Sequence, residues 1–423
     1  MQPYPLRDMT TEPQSLVDLV PADEVEPIRH GVPEAMRDQV VIDVIHDGHW
    51  LPEEFLVDRQ GKAIDVETIQ ADFVRERDWG ALLVAKRLAG RLGLPHVIRV
   101  NVARVLMDFG RFPGSTPRHA DHLNRHAINY PFSSLLSYPQ KKQLLERYYD
   151  GVSSELEGRL RGKRIKIAIH TYDRHNSSGT ERPATSLMTR SIAYQISSEL
   201  PGGLFDPLYP DILAEFTCDR VLRDRISLTL EKAGIPVAHN YPYCLPEGSL
   251  EVRYQVWAYF CALREAFELA QPHTQNDPCF AMIWEMLMDT NLRSSLSDAL
   301  RGYLHMYRRA PDGREALFNQ AADAYAQVRR FSAEQGDGFV EAYRFAPERT
   351  SSIAIEVRKD IVCALGEDGL PLGVHTEHVH TVADRIAEAV VVYLRHDMAS
   401  SEGHSDPELE RHAPWYLRSV SNT

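Results

Sequence analysis

The chain has 423 residues, 43% of them apolar and 25% charged, which is enough to bury a large core and is ordinary for a globular protein. A formal charge of −13 excludes a nucleic-acid surface whose affinity comes from a basic face, and no run of about 18 apolar residues offers a membrane span. Cys218, Cys244, Cys261, Cys279 and Cys363 are scattered and odd in number, so they read as reduced core thiols rather than as a disulfide frame. With no apolar stretch of signal-peptide length at the N-terminus, the expected location is cytoplasmic.

Residues 1–38 are polar, proline-bearing and acidic with one apolar patch at 16–20, and read as an arm lying across the body. Residues 40–55, VVIDVIHDGHWLPEEF, follow as a buried β-branched strand that stops at His46, Asp47, Gly48 and His49. Ligands in open α/β sheets gather at the carboxyl ends of strands, so this strand end is a candidate site, with Gly48 allowing a tight turn. Asp78 is placed to cap an amphipathic helix over 79–92, which Gly93 ends. A second strand at 96–102 runs into Arg104, Asp108 and Arg111.

Residues 115–140, rich in His, Asn, Pro and Ser, read as a long loop forming one wall of a pocket. A helix over 141–160 precedes a third strand ending in His170 and Thr171, then a polar loop over 172–186. A helix at 221–233 leads to a fourth strand in IPVAHNYPY, residues 235–243. Strands alternating with helices at this spacing predict an α/β fold, a mainly parallel (mixed) sheet with helices on both faces.

From 251 to 343 the signals are helical only: Val256, Phe260, Leu263 and Phe267, then Leu292, Leu296 and Leu300, then Phe318, Ala321, Ala322, Tyr325 and Val328. This reads as an all-α insertion of roughly four helices. The sheet resumes with the strand 351–358, bearing Glu356 and Arg358, and a helix over 379–396 closes the fold. The expected organisation is an arm (1–38), an α/β catalytic domain (39–250 and 346–398), a helical insertion (251–345) and a flexible tail (399–423).

A hydrolytic zinc site needs three protein ligands, an open position and a nearby carboxylate that accepts a proton. His46 and His170, at two strand ends, are candidates for two of the ligands, and Glu356 stands near the end of a third strand. The run His375, His378 and His380 sits just before the last helix and reads as a decoy.

Over about 40–243 and 350–395 these residues resemble the N-formylglutamate amidohydrolases, of the zinc carboxypeptidase and aspartoacylase superfamily. His46, Asp47, Gly48 and Pro52 are similar to that family's His-Ser-Gly motif and following proline, and Arg77-Asp78 to its Thr-Asp pair. Asp108, Phe109, Gly110 and Arg111 resemble its Asp-Leu-Asn-Arg motif, Arg104 the arginine just upstream, His170-Thr171 its second histidine motif, and Glu356 in AIEVR its catalytic glutamate.

The resemblance implies a zinc-carboxypeptidase-like fold and a Zn2+ ion held by His46, His170 and either Asp78 or His49. It implies Glu356 as base, with Arg104, Asp108, Arg111, Thr171 and Arg358 at the substrate. The implied activity is a zinc-dependent amidohydrolase, or deformylase, that cleaves an N-formyl or N-acyl amide of a small carboxylate-bearing molecule. Metallocarboxypeptidase-like hydrolysis of short peptides is an alternative. A catalytically dead binding member is another, because Asp47, Arg77 and Gly110 replace the family's Ser, Thr and Asn. The expected partner is a small-molecule substrate, with no nucleic acid and no membrane, and any homo-oligomer would form through the helical insertion.

Overall fold

The β-branched runs of the sequence become strands of one sheet, and the amphipathic segments between them become its covering helices. The computed structural model describes residues 4, 9, 11–113, 127–176, 178–191, 205–214, 216–246, 248–306, 308–346 and 349–397. Residues 115–126 of the expected loop wall and the 399–423 tail lie outside these.

Seven strands, β1 (Val17–Pro21), β2 (Val40–Val44), β3 (His96–Val100), β4 (Ile165–Tyr172), β5 (Thr185–Met188), β6 (Val237–His239) and β7 (Ser351–Arg358), pair in the order β1-β3-β2-β4-β7-β5-β6. The four central strands β3, β2, β4 and β7 are parallel. β1 runs antiparallel to β3, and β5 antiparallel to β7 with β6 parallel to β5, so the sheet is mixed and mainly parallel. A separate hairpin joins β8 (Cys363–Leu365) to β9 (Pro371–Val374).

Two strands differ from the expectation. The apolar patch of the arm is β1, an edge strand whose partner β3 supplies the hydrogen bonds its short sequence does not advertise. β5 lies at the end of the stretch expected as a polar loop; its four residues are too few to show a period of two.

The principal helices are α1 (Val66–Glu76), α2 (Ala81–Leu92), α3 (Asp150–Leu160), α4 (Arg220–Lys232), α5 (Leu250–Ala270), α6 (Pro278–Met288), α7 (Ser295–Leu304), α8 (Glu315–Phe345) and α9 (Thr376–Val392). α9 packs on α2 and α4, and together with Ile165, Ile167, Ile169, Ile353 and Ile355 these helices build one apolar core. Alternation along the strands turns Ala168 and Ala354 to the other face, where they join a second core with Met188 and helices α5 to α8. Helices therefore cover both faces. No helix among the described residues is long and apolar enough to cross a membrane.

A buried ion triad fixes α5 to the sheet. Lys166 Nζ on β4 lies 2.8 Å from Asp43 Oδ2 on β2 and 2.6 Å from Glu251 Oε1 in the first turn of α5. A buried ammonium is tolerable only when paired in this way. Lys166 lies two pleats before His170, on the same face of β4, so the contact that holds α5 sits directly below the strand end that carries the histidine.

Candidate metal centre

The parallel strands deliver their polar ends to one edge of the sheet. His46 follows the end of β2, and His170 on β4 stands in register beside Glu356 on β7. Adjacent strands are about 4.8 Å apart, so these two side chains stand side by side on one face of the sheet. The loop after β2 turns tightly against β3, where the amides of His49 and Trp50 both donate to the Asn101 carbonyl at 3.0 Å. A Cβ at Gly48 would collide with the Val102 carbonyl, so only glycine fits this turn.

Asp78 enters from the turn between α1 and α2, tied to the β2 end by its amide, which donates to the His46 carbonyl at 3.0 Å. It does not cap a helix as expected. The cap of α2 is Gly80, at φ 88°, which leaves the Asp78 carboxylate facing His170 and Arg104.

Three potential ligand atoms form a triangle. His46 Nδ1 lies 3.1 Å from His170 Nδ1, His170 Nδ1 lies 2.9 Å from Asp78 Oδ2, and His46 Nδ1 lies 3.6 Å from Asp78 Oδ2. Ligands held at about 2.0–2.1 Å around a tetrahedral ion stand roughly 3.3 Å apart, so the triangle has the size of one face of such a site. The donor set of two imidazoles and one carboxylate suits a hydrolytic divalent metal. Among the described residues, these three form the group whose ligand atoms lie close enough to share an ion.

A second layer orients the first. The His46 Nε2–H donates to Asp108 Oδ1 at 2.8 Å, an assignment that follows from the carboxylate being acceptor only, and it leaves Nδ1 bare toward the triangle. Asp108 Oδ1 also accepts from the Gly110 amide at 2.9 Å, while Oδ2 accepts from Arg104 Nη2 at 3.3 Å and Arg111 Nε at 3.1 Å. Glu356 Oε1 accepts from the Tyr243 hydroxyl at 2.5 Å.

Burial opposes charge on every carboxylate here, and the neighbours decide the outcome. Against burial, the hydrogen bond from His170 and the Arg104 charge hold Asp78 below the usual carboxylate range. Asp108 is held well below it, against burial, by its contact with His46 and by the Arg104 charge. Glu356 goes the other way: burial pushes it up and the Asp78 charge adds to that, outweighing His170 and the Tyr243 hydroxyl. Burial alone would lower His170, but its hydrogen bond to Asp78 and the nearby Glu356 charge raise it to about 9. A raised carboxyl beside lowered ones is the arrangement that separates a proton carrier from permanent anions.

Several expected site residues are placed elsewhere. His49 is outside the triangle: its Nδ1 lies 3.2 Å from Arg99 Nη2, which also donates to the Asp47 carbonyl at 3.0 Å. Asp78, rather than His49, is therefore the third group of the cluster. Thr171 falls on the opposite face of β4 from His170, and its hydroxyl donates to the Trp79 carbonyl at 3.0 Å. Arg358 makes a two-point pair with Asp360, at 3.0 and 3.1 Å, and reaches Glu181 at 2.8 Å, which draws it away from Glu356. His378 Nδ1 lies 3.2 Å from the Ile361 carbonyl, and among the described residues the run of three histidines forms no ligand group.

Tyr243 was not expected. It lies in the HNYPY run after β6, and nothing in that run connects it with a glutamate more than a hundred residues later. Asp108 was expected at the substrate, yet its carboxylate is occupied by His46, Gly110 and two arginines.

The chain matches no protein-family model and no curated protein. It is similar to the solved structure of an N-formylglutamate amidohydrolase from Ralstonia eutropha JMP134, at 14% identity and a TM-score of 0.46, over 88% of this chain and 98% of that one. It is also similar to the structure of a gene product from Agrobacterium tumefaciens, at 13% identity and a TM-score of 0.39, over 87% of this chain and 92% of that one.

Proposed function

We propose that this chain is a metal-dependent hydrolase of C–N amide bonds, with zinc as its metal and an N-formyl or N-acyl amide of a small carboxylate-bearing molecule as its substrate. The observation that carries the reading is the buried triangle of His46, Asp78 and His170 with Glu356 in register beside it. The motif resemblance in the same residues supports the substrate class.

His46 Nδ1, His170 Nδ1 and Asp78 Oδ2 would hold the ion. When bound, a divalent metal supplies Lewis acidity to the scissile carbonyl and makes water a nucleophile near neutral pH. Asp108 fixes the His46 ring through Nε2, so the bare nitrogen needs no reorientation. Glu356 takes the proton of the attacking water and delivers it to the leaving amine nitrogen as the C–N bond breaks. Its raised pKa suits a group that must both accept and release a proton. Tyr243 keeps the Glu356 carboxylate turned toward the site by its hydroxyl. Arg111, a third exposed with a planar guanidinium, is the group proposed to meet the substrate carboxylate.

The test is turnover by zinc-loaded protein of N-formyl and N-acetyl amino acids, of the same compounds with the carboxylate blocked as an amide, and of short peptides. The account expects cleavage of free acids and a strong preference over their amides. Cleavage confined to C-terminal peptide bonds would replace it with a carboxypeptidase-like reading. Zinc bound with no turnover of any amide would replace it with a binding role.

A further inference from the structure

We propose that Arg104 is a positioning residue whose single guanidinium selects the working oxygen of two carboxylates at once, Asp78 for the metal position and Asp108 for His46. The inference rests on the function proposed above and concerns how its site is held together.

Arg104 Nη1 donates to Asp78 Oδ1 at 3.1 Å and Nη2 donates to Asp108 Oδ2 at 3.3 Å. The oxygen left over on each carboxylate is the one that faces a histidine. Asp78 Oδ2 lies 2.9 Å from His170 Nδ1, and Asp108 Oδ1 lies 2.8 Å from His46 Nε2. Two nitrogens of one rigid plane thus set the rotation of both carboxylates about their Cβ–Cγ bonds. A carboxylate with neither oxygen held would rotate and offer either one.

The two aspartates do not depend on Arg104 equally. Asp108 is also held by Arg111 and by the Gly110 amide. Asp78 has Arg104 as its arginine or lysine partner among the described residues. Removal of the guanidinium therefore acts first on Asp78. A lysine keeps the charge but replaces the planar fork of two fixed nitrogens by one freely rotating ammonium, which does not set the rotation of both carboxylates, so Arg104→Lys separates geometry from electrostatics. The resemblance placed Arg104 at the substrate instead. In the structure both of its Nη groups are engaged by the two aspartates.

The experiment compares wild type, Arg104→Lys and Arg104→Ala for zinc affinity by chelator competition, for the visible spectrum of the cobalt-loaded protein, and for kcat and KM. Circular dichroism establishes that each variant is folded, and the lysine variant decides the matter should the alanine variant unfold. The expected result is zinc binding about 10–100-fold weaker in Arg104→Lys, with a changed cobalt spectrum and a loss in kcat rather than KM. Partial recovery of affinity in Arg104→Ala by millimolar guanidinium ion would support the same role. Wild-type zinc affinity and spectrum in both variants, with KM alone raised for carboxylate substrates, would overturn it in favour of a substrate clamp. Failure of the wild-type protein itself to bind zinc would overturn the proposed function, and is read in the same titration.

Discussion

Asp47 Oδ1 and Arg77 Nε lie 2.9 Å apart, both almost fully excluded from solvent. These are the two positions at which the sequence departs from the resembling family beside its first histidine and its helix-opening acid, and the structure joins them. The Arg77 guanidinium also lies over the Trp79 ring, 4.1 Å from its centroid, and Arg99 reaches Asp47 from the other side, with Nε 3.7 Å from Oδ2. Asp47 and Arg77 are thus partners of one another behind the site.

This pairing makes the first prediction. Breaking a buried pair from one side strands the other charge, at about 3–5 kcal/mol, whereas removing both takes Asp47 and Arg77 away together and costs Arg99 only its longer contact to Asp47. Asp47→Ser and Arg77→Thr should each destabilise strongly in urea unfolding, and the double variant should lose less than the sum of the two. Strict additivity would mean that the pair is not coupled.

Much of this was legible in the sequence because strand ends are local signals. His46, His170 and Glu356 each terminate a short β-branched run, and the parallel pairing of β2, β4 and β7 brings those ends to one edge. What was not legible depends on side-chain direction across long separations. Thr171 and Arg358 share strands with the site residues but turn to other partners, and His49 meets Arg99 from β3. Tyr243 reaches Glu356 from a loop with no pattern of its own. β1 and β5 are short strands whose neighbours, rather than their own composition, make them strands.

The choice of third ligand gives the second prediction. Asp78→Ala should lose most of its zinc, while His49→Ala should keep it, because His49 Nδ1 faces Arg99 and not the triangle. Equal and full retention in the two variants would place the third ligand elsewhere.

The pH dependence follows from His170. Its folded pKa is raised from 6.5 to about 9 without metal, so its contribution to apo-protein stability is complete below pH 6.5 and is lost as pH climbs through about 9. A metal must displace that proton, so zinc affinity should rise by about tenfold per pH unit across this window and then level off. Chelator competition at several pH values measures it. Affinity independent of pH would show that His170 carries no proton for the metal to displace.

Glu356 can be tested without disturbing the metal. Gln preserves its shape and can still meet the Tyr243 hydroxyl, but it cannot accept the water's proton. Glu356→Gln should keep zinc and substrate affinity while turnover falls by about 10²–10⁴-fold. Turnover within a few fold of wild type, with a lowered melting temperature, would make Glu356 a structural residue.

The central claim is that His46, Asp78 and His170 hold one divalent metal, and zinc titration of the wild-type protein beside His46→Ala and His170→Ala tests it most directly. The account predicts one zinc per wild-type chain and loss of that site in both variants, with circular dichroism unchanged. Full zinc retention in either folded histidine variant would contradict it.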